Sequence, residues 1–263
     1  MGNYKESIAI IIPALDPDER MVSLVGQLHD DGFSNIILVD DGSLIANRKY
    51  FKTCKETCHC KIIRHVVNFG KGIALKSAFN YILEQRPDIK GAVTVDCDGQ
   101  HVLTDINTCA KLTYEHPDSL ILGCRQFDDK EIPLRSRFGN KLTRQMIRLL
   151  CGIHVSDTQT GLRGLPTPLI REHFANVKGE RFEYEMNMLL KLRDWDVKPT
   201  EIEIETIYID DNSGSHFNPV RDAIRIYAVI FKYLFSSVTS FAVDYLLYWL
   251  CLGVFKLAPL LSY

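Results

Sequence analysis

Apolar residues in the first half of the chain gather in short unbroken runs, each closed by turn-forming residues and followed by a stretch of helical spacing. Residues 8–12 form an aliphatic run ended by Pro13, residues 21–28 have helical spacing, and 36–39 form a second buried-type strand that stops at Asp40-Asp41-Gly42-Ser43. The alternation continues with a strand at 62–63, a helix over 72–83, a strand at 92–95, a helix over 106–114 and a strand at 120–122. Continuous apolar strands alternating with helices predict an α/β domain whose mostly parallel sheet is covered on both faces. The second half is less regular. Residues 134–150 read as a basic amphipathic helix, 183–192 as another helix, and 200–208 alternate like a strand.

The tail breaks this pattern. Residues 233–255 hold a single formal charge, Asp244, and at about 1.5 Å per helical residue the run is long enough for a bilayer core of about 30 Å. Arg221, Arg225 and Lys232 precede it, which by the positive-inside tendency puts the preceding domain on the cytoplasmic side of a cell membrane. Ser236, Ser237, Thr239 and Ser240 moderate the hydrophobicity, so a buried core helix is the alternative. Asp244 in a lone span would be costly. A longer membrane region cut short at Tyr263, or a homo-oligomer formed through this segment, would shelter it. The expected division is an α/β domain over 1–218, a basic amphipathic juxtamembrane segment over 219–232 and a membrane segment over 233–263.

Composition narrows the classes. With 263 residues and 46% hydrophobic content the chain can bury one substantial core, and a net charge of -2 argues against a general nucleic-acid binder. The eight cysteines have no regular spacing, and the polar opening residues lead straight into a strand, so reduced thiols are expected. Cys54, Cys58, His59 and Cys60 cluster without a second matching pair, which makes them a weak zinc motif.

The candidate chemistry sits at the strand ends. Asp96-Cys97-Asp98-Gly99-Gln100-His101 follows the apolar run 91–95. Ligand crevices of open parallel sheets lie beyond the carboxyl ends of the strands, and Mg²⁺ or Mn²⁺ takes carboxylate and carbonyl oxygens with substrate phosphates completing the shell. The stretch therefore reads either as a metal-diphosphate site or as a capped strand-to-helix turn. Pro13-Ala14-Leu15-Asp16, Asp40-Asp41-Gly42-Ser43 and Asn68-Phe69-Gly70-Lys71-Gly72 fall at strand ends on the same side. Each alone is an ordinary turn; four together outline a nucleotide crevice.

These motifs carry a resemblance. Asp40-Asp41-Gly42-Ser43, Asn68-x-Gly-Lys-Gly72 and Asp96-x-Asp-x-Gln100-His101 resemble the family 2 glycosyltransferases of the GT-A fold, and within them the polyprenyl-phosphate glycosyltransferases, the group of the dolichol-phosphate mannosyltransferases and bactoprenol glucosyltransferases. The resemblance spans about residues 8–209, and the tail from about Phe231 is similar to the first span of a GtrA-like membrane domain.

The resemblance implies transfer of a hexose from a nucleotide-sugar donor to a polyprenyl phosphate acceptor at a membrane, with Mg²⁺ or Mn²⁺. Pro13, Ala14 and Asp16 would line the base and ribose pocket, although Asp16-Pro17-Asp18-Glu19 departs from the family's usual Asn and Glu. Asp40 or Asp41 would bond the base or ribose, Lys71 would sit near the nucleotide, and Asp96, Asp98 and Gln100 would meet the metal and diphosphate. Arg125 matches a Gly-x-Arg position. With Arg135 and Arg137 it is a candidate anion clamp, because a guanidinium grips phosphate bidentately. Arg137, Lys141, Arg144 and Arg148 read alternatively as a solvated helix face or a patch for anionic lipid heads, the reading preferred for Lys141 and Arg148. In Ser156-Asp157-Thr158-Gln159-Thr160-Gly161-Leu162-Arg163, Asp157 is the candidate acid/base or sugar-positioning residue, or a turn cap, and Arg163 a phosphate contact. Arg181 would close over the diphosphate, while Glu183 and Glu185 would position the sugar or favour a helix start.

A saccharide or lipid alcohol is the alternative acceptor. A sugar-1-phosphate nucleotidyltransferase would need a Gly-rich basic loop behind the first strand, and residues 13–20 offer none. A non-catalytic membrane adaptor would explain the tail but not the strand-end motifs.

Overall fold

The computed structural model of the chain describes residues 3–125, 154–205 and 238–251, together with positions 144, 145, 148, 152, 228, 231 and 235. Arg135, Arg137 and Lys141 lie outside these residues, as does most of the helix predicted over 134–150, of which Arg144 and Arg148 are seen as exposed positions.

The predicted alternation is present. β1 (Ile8–Ala14), α2 (Glu19–Asp30), β2 (Ile36–Asp40), α3 (Arg48–Cys58), β3 (Lys61–Arg64), α4 (Lys71–Gln85), β4 (Gly91–Thr94), α5 (Leu103–Glu115) and β5 (Ser119–Arg125) follow a one-turn helix, α1 (Tyr4–Ser7). They are followed by β6 (Arg163–Pro166), α6 (Thr167–Glu172), α7 (Glu183–Lys191) and β7 (Lys198–Ile204). The strands form one seven-stranded sheet in the order β3-β2-β1-β4-β6-β5-β7. All neighbours pair parallel except β6, which runs antiparallel to both β4 and β5.

Successive side chains of a strand point to opposite faces, and β1 is apolar at every one of its first five positions. Ala9 and Ile11 join a core with Ile37, Val39, Leu75 and Phe79. Ile8, Ile10 and Ile12 join a second core on the other face with Leu24, Leu28, Phe51 and Ile106. The parallel strands read as unbroken apolar runs because both faces are covered. Cys54 and Cys60 belong to the second core; burial pushes their thiols up to about 11 and about 12.

Strand order reverses at β1, which has β2 on one side and β4 on the other. The β4 ladder ends at Ile11↔Thr94, whereas pairing with β2 continues to Ala14↔Asp40. Pro13 thus lies beyond the last rung with β4, where its missing N–H removes no ladder bond. The two strands part there, and a crevice opens at the point where ligands of open α/β sheets bind.

In the tail, the exposed positions of 238–251 are helical, with Phe241, Tyr245, Leu246 and Trp249 among the exposed apolar side chains. Among the described residues no helix is long and apolar enough to cross a membrane. The segment predicted to do so, 233–255, falls within them only in part.

Candidate active site

All four predicted strand-end motifs meet in one cavity of about 270 Å³ at this switch point. Pro13, Ala14 and Leu15 come from the end of β1, Asp41 from the end of β2, Asn68, Gly70 and Lys71 from the β3–α4 connection, and Asp96, Cys97 and Asp98 from the end of β4. Arg181 and Phe182, just before α7, close the far wall.

Of the two adjacent carboxylates after β2, Asp41 reaches the cavity and Asp40 does not. Asp40 is fully buried, one oxygen accepting from Ser43 N at 2.8 Å and the other from Arg64 Nε at 2.7 Å. Asp41 accepts from Phe69 N at 3.0 Å and Gly70 N at 2.7 Å, and its Oδ1 lies 2.7 Å from His65 Nδ1. It therefore holds the β3–α4 loop in place as well as lining the crevice. Replacing Asp41 with alanine leaves two backbone N–H groups without their acceptor and is expected to lower stability by about 2–3 kcal/mol, checked by urea denaturation. Asp16 lies outside the cavity lining. It accepts from Leu44 N at 2.7 Å and ties the β1–α2 loop to the loop after β2.

Gly70 shows why the loop needs glycine. Its φ is 103°, and a Cβ there would run into Arg181 Cγ and stand 2.6 Å from Glu180 O. The same contact seats Arg181, whose Nη1 donates to Asn68 Oδ1 at 3.2 Å. The amino end of α4 abuts the cavity, a setting that favours an anion.

A charged network runs behind the cavity. Lys71 Nζ donates to Asp96 Oδ1 at 2.8 Å and lies 3.1 Å from Glu185 Oε2, and Glu185 Oε1 is 3.7 Å from Arg163 Nε. Burial works against a charged Lys71, but the carboxylates of Asp96 and Glu185 outweigh it and raise its pKa. Burial likewise opposes ionisation of Asp96, and the charge of Lys71 overcomes it and holds Asp96 ionised. Asp98 goes the other way: burial and the neighbouring Asp96 charge raise its pKa. Cys97, between the two, is pushed up to about 12 by burial and then by both carboxylates, which leaves its thiol protonated.

These carboxylates fit a hard divalent cation. Asp96 and Asp98 line the same cavity, their oxygens are the donor type Mg²⁺ and Mn²⁺ prefer, and the raised pKa of Asp98 marks negative charge that a cation would relieve. Gln100, two residues on, donates its backbone N–H to Asp98 Oδ1 at 3.1 Å. Among the described residues no group of three or more His, Cys, Asp or Glu side chains could hold a metal by itself. His101 faces the pair, its Nε2 3.9 Å from Asp96 Oδ2 and its buried Nδ1 without a hydrogen-bond partner among the described residues.

Asp157, Arg125 and Arg163, predicted as acid/base, anion clamp and phosphate contact, lie outside the cavity lining. Asp157 is fully buried and grips Arg125 bidentately, accepting from Nε at 2.6 Å and Nη2 at 3.1 Å, and it also accepts from Gln159 N at 2.9 Å. Arg163 is 1% exposed in β6; its Nε donates to Thr160 O at 3.0 Å and its Nη1 to Glu185 O at 2.8 Å.

Three features of the site have a place in the structure that the sequence did not assign them. Glu185 is the second partner of Lys71; its spacing of four from Arg181 and three from Phe182 is the helical spacing that would have grouped them. Phe182 lies near Lys71, whose Nζ is 5.9 Å from the ring centroid. Gly161 packs so tightly that an added Cβ would strike the Asp96 carboxylate. Gly161→Ala is expected to displace Asp96 and lower activity by about 10²-fold while the protein stays folded, measured as kcat/KM beside a thermal melt.

A cavity at the switch point of a mainly parallel sheet, walled by an acidic pair and the amino end of a helix, defines an α/β protein with its ligand crevice beyond the carboxyl ends of the strands. The family model for glycosyl transferase family 2 matches residues 11–174, and the chain belongs to that family of glycosyltransferases. The matched region runs from within β1 to just beyond α6, leaving α7, β7 and the tail outside it, so the GtrA-like resemblance lies outside it. Over 77% of its length the chain is 29% identical to the UDP-N-acetylglucosamine–dolichyl-phosphate N-acetylglucosaminyltransferase of Methanococcus voltae, covering 86% of that protein. It is 24% identical to a dolichyl-phosphate beta-glucosyltransferase of Dictyostelium discoideum, with 86% of this chain and 75% of the relative covered. Among solved structures, the glucosyl-3-phosphoglycerate synthase of Mycobacterium tuberculosis in complex with Mn²⁺, uridine diphosphate and glucosyl-3-phosphoglycerate shares the fold, with a TM-score of 0.59 at 13% identity over 87% of this chain and 80% of that one.

Proposed function

We propose that the protein is an inverting hexosyltransferase that moves a sugar from a UDP- or GDP-linked donor to a polyprenyl phosphate at the cytoplasmic face of a membrane. The convergence of four strand-end loops on one cavity with Asp96 and Asp98 on its wall carries this reading. The names of the dolichyl-phosphate relatives support the acceptor class.

The donor's base and ribose would lie against Pro13, Ala14 and Asp41, and its diphosphate would lie between the amino end of α4 and Arg181. A Mg²⁺ or Mn²⁺ ion held by Asp96, Asp98 and Gln100 would supply positive charge to the departing nucleoside diphosphate. The acceptor attacks the anomeric carbon in line with that departure.

The state of Asp157 favours a phosphate over an alcohol as acceptor. An alcohol needs a general base, whereas a phosphate monoester with a second pKa of about 6 is already largely deprotonated at neutral pH. Asp157, buried and locked onto Arg125, suits a reaction that removes no proton, and its role is to position Arg125. The exposed apolar side chains along the helical residues 238–251, interrupted by the exposed Asp244, would need an apolar medium or further helices to cover them, which suits a membrane location.

The test is transfer of radiolabelled sugar from a panel of UDP- and GDP-hexoses into the organic phase with a short polyprenyl phosphate and Mg²⁺ or Mn²⁺. Label should enter the organic phase from one donor and stop with excess EDTA. No transfer from any donor would refute the acceptor class.

A further inference from the structure

We propose that the two loops following β2 and β3 form a membrane-docking face, which seats the mouth of the crevice on an anionic bilayer. Leu44 and Ile45 stand exposed on the first loop and Val66, Val67 and Phe69 on the second; Ile45 is 83% exposed and Val66 88%. The loops are adjacent, because β2 and β3 pair up to Asp40↔Arg64 and a Cβ at Gly42 would strike the Val67 backbone. Five large apolar side chains on neighbouring tips form a patch that water solvates poorly and that a protein rarely exposes without use.

The neighbouring surface says what covers it. A groove along α3 is lined by Arg48, Lys49, Lys52, Lys55 and, from β3, Arg64. Among the described residues, the counter-charges paired with this face are Glu56, 3.7 Å from Lys52, and the buried Asp40 that holds Arg64. Apolar tips beside a basic helix match a bilayer interface, where the tips enter the headgroup and acyl boundary and the cations meet anionic lipid heads. A protein partner would need complementary acidic pockets; a bilayer offers both features along its whole surface.

The loops are also part of the site. Asn68 and Gly70 of the second loop line the cavity, and Asp41 ties that loop to the end of β2. Docking here would bring the crevice mouth to the lipid surface, where a lipid-borne phosphate enters without leaving the membrane. The proposal deepens the polyprenyl-phosphate reading and rests on it for its purpose, yet it concerns binding alone.

The test uses the full chain carrying Ile45→Trp, mixed without donor or acceptor with phosphatidylglycerol-containing vesicles whose acyl chains are brominated. Emission added by residue 45 should be quenched relative to plain vesicles, and Lys52→Glu with Lys55→Glu should remove most of that quenching. Val66→Trp, on the other loop, gives an independent reading. Glu115→Trp is the control, since α5 leaves the carboxyl end of β4 and ends at the opposite edge of the sheet; its added emission should be unaffected. The tail is the same in every variant, so the contrast between positions reports which face meets lipid. Equal quenching at 45 and 115, or none at 45 and 66, overturns the proposal. So does an emission spectrum of the Ile45→Trp variant that shifts with protein concentration alone, which would assign the patch to contact between copies. Because no transfer is measured, quenching of the Ile45→Trp variant in a protein inactive on polyprenyl phosphate would retain the docking face while refuting the acceptor.

Discussion

Asp98→Asn is expected to lower kcat/KM by about 10²–10³-fold, because in the proposed reaction it would remove a charged ligand from the ion that stabilises the leaving diphosphate. The same substitution should leave the fold intact or raise its melting temperature. In the folded protein burial and the Asp96 charge raise the Asp98 pKa. A carboxyl group whose pKa rises on folding destabilises the native state at every pH where it is ionised in the unfolded chain, from about pH 4 upward. Asparagine removes that unfavourable charge and keeps the size. Activity falling while stability holds or rises would mark Asp98 as a functional group maintained at the expense of stability; a parallel fall in both would instead make it a structural residue.

Arg163→Ala is the substitution expected to cost most in stability, about 3–5 kcal/mol. It removes a buried guanidinium that donates to the Thr160 and Glu185 carbonyls and faces the Glu185 carboxylate. Glu185 would then keep only Lys71 as a charged partner, and the volume left in β6 adds a cavity term. Urea denaturation should show a lower midpoint with an unchanged slope. A midpoint shift within experimental error would show that Arg163 is free for the phosphate contact its motif suggested.

Arg163 also shows where sequence reasoning stops. Its place in a polar motif implied a phosphate contact, and nothing local announced a strand. β6 has only four residues, among them Arg163, Gly164 and Pro166, and is a strand because β4 and β5 flank it, a tertiary cause that no short window contains. α3 was missed for a related reason. Only Phe51 and Cys54 of its eleven residues are buried, and the rest is largely charged. β1, β2, β4 and β5 were legible because strands covered on both faces must be apolar throughout.

The candidate site was legible in the same measure. The four strand-end motifs could be placed together because parallel strands deliver their carboxyl ends to one edge. Which groups pair could not be read. Arg125 and Asp157 are 32 positions apart and were assigned separate tasks, yet they hold each other. Of Asp40 and Asp41, the one whose oxygens are taken by Ser43 and Arg64 withdraws from the crevice, and adjacent identical residues carry no sign of which it is.

The most direct measurement is the mass of the lipid product formed from a labelled nucleotide hexose, polyprenyl phosphate and Mg²⁺ or Mn²⁺. Transfer of the sugar alone predicts a product heavier than the acceptor by one hexosyl unit, with release of the nucleoside diphosphate. A product carrying one further phosphoryl group with release of the nucleoside monophosphate, or sugar found only on an alcohol acceptor, would contradict it.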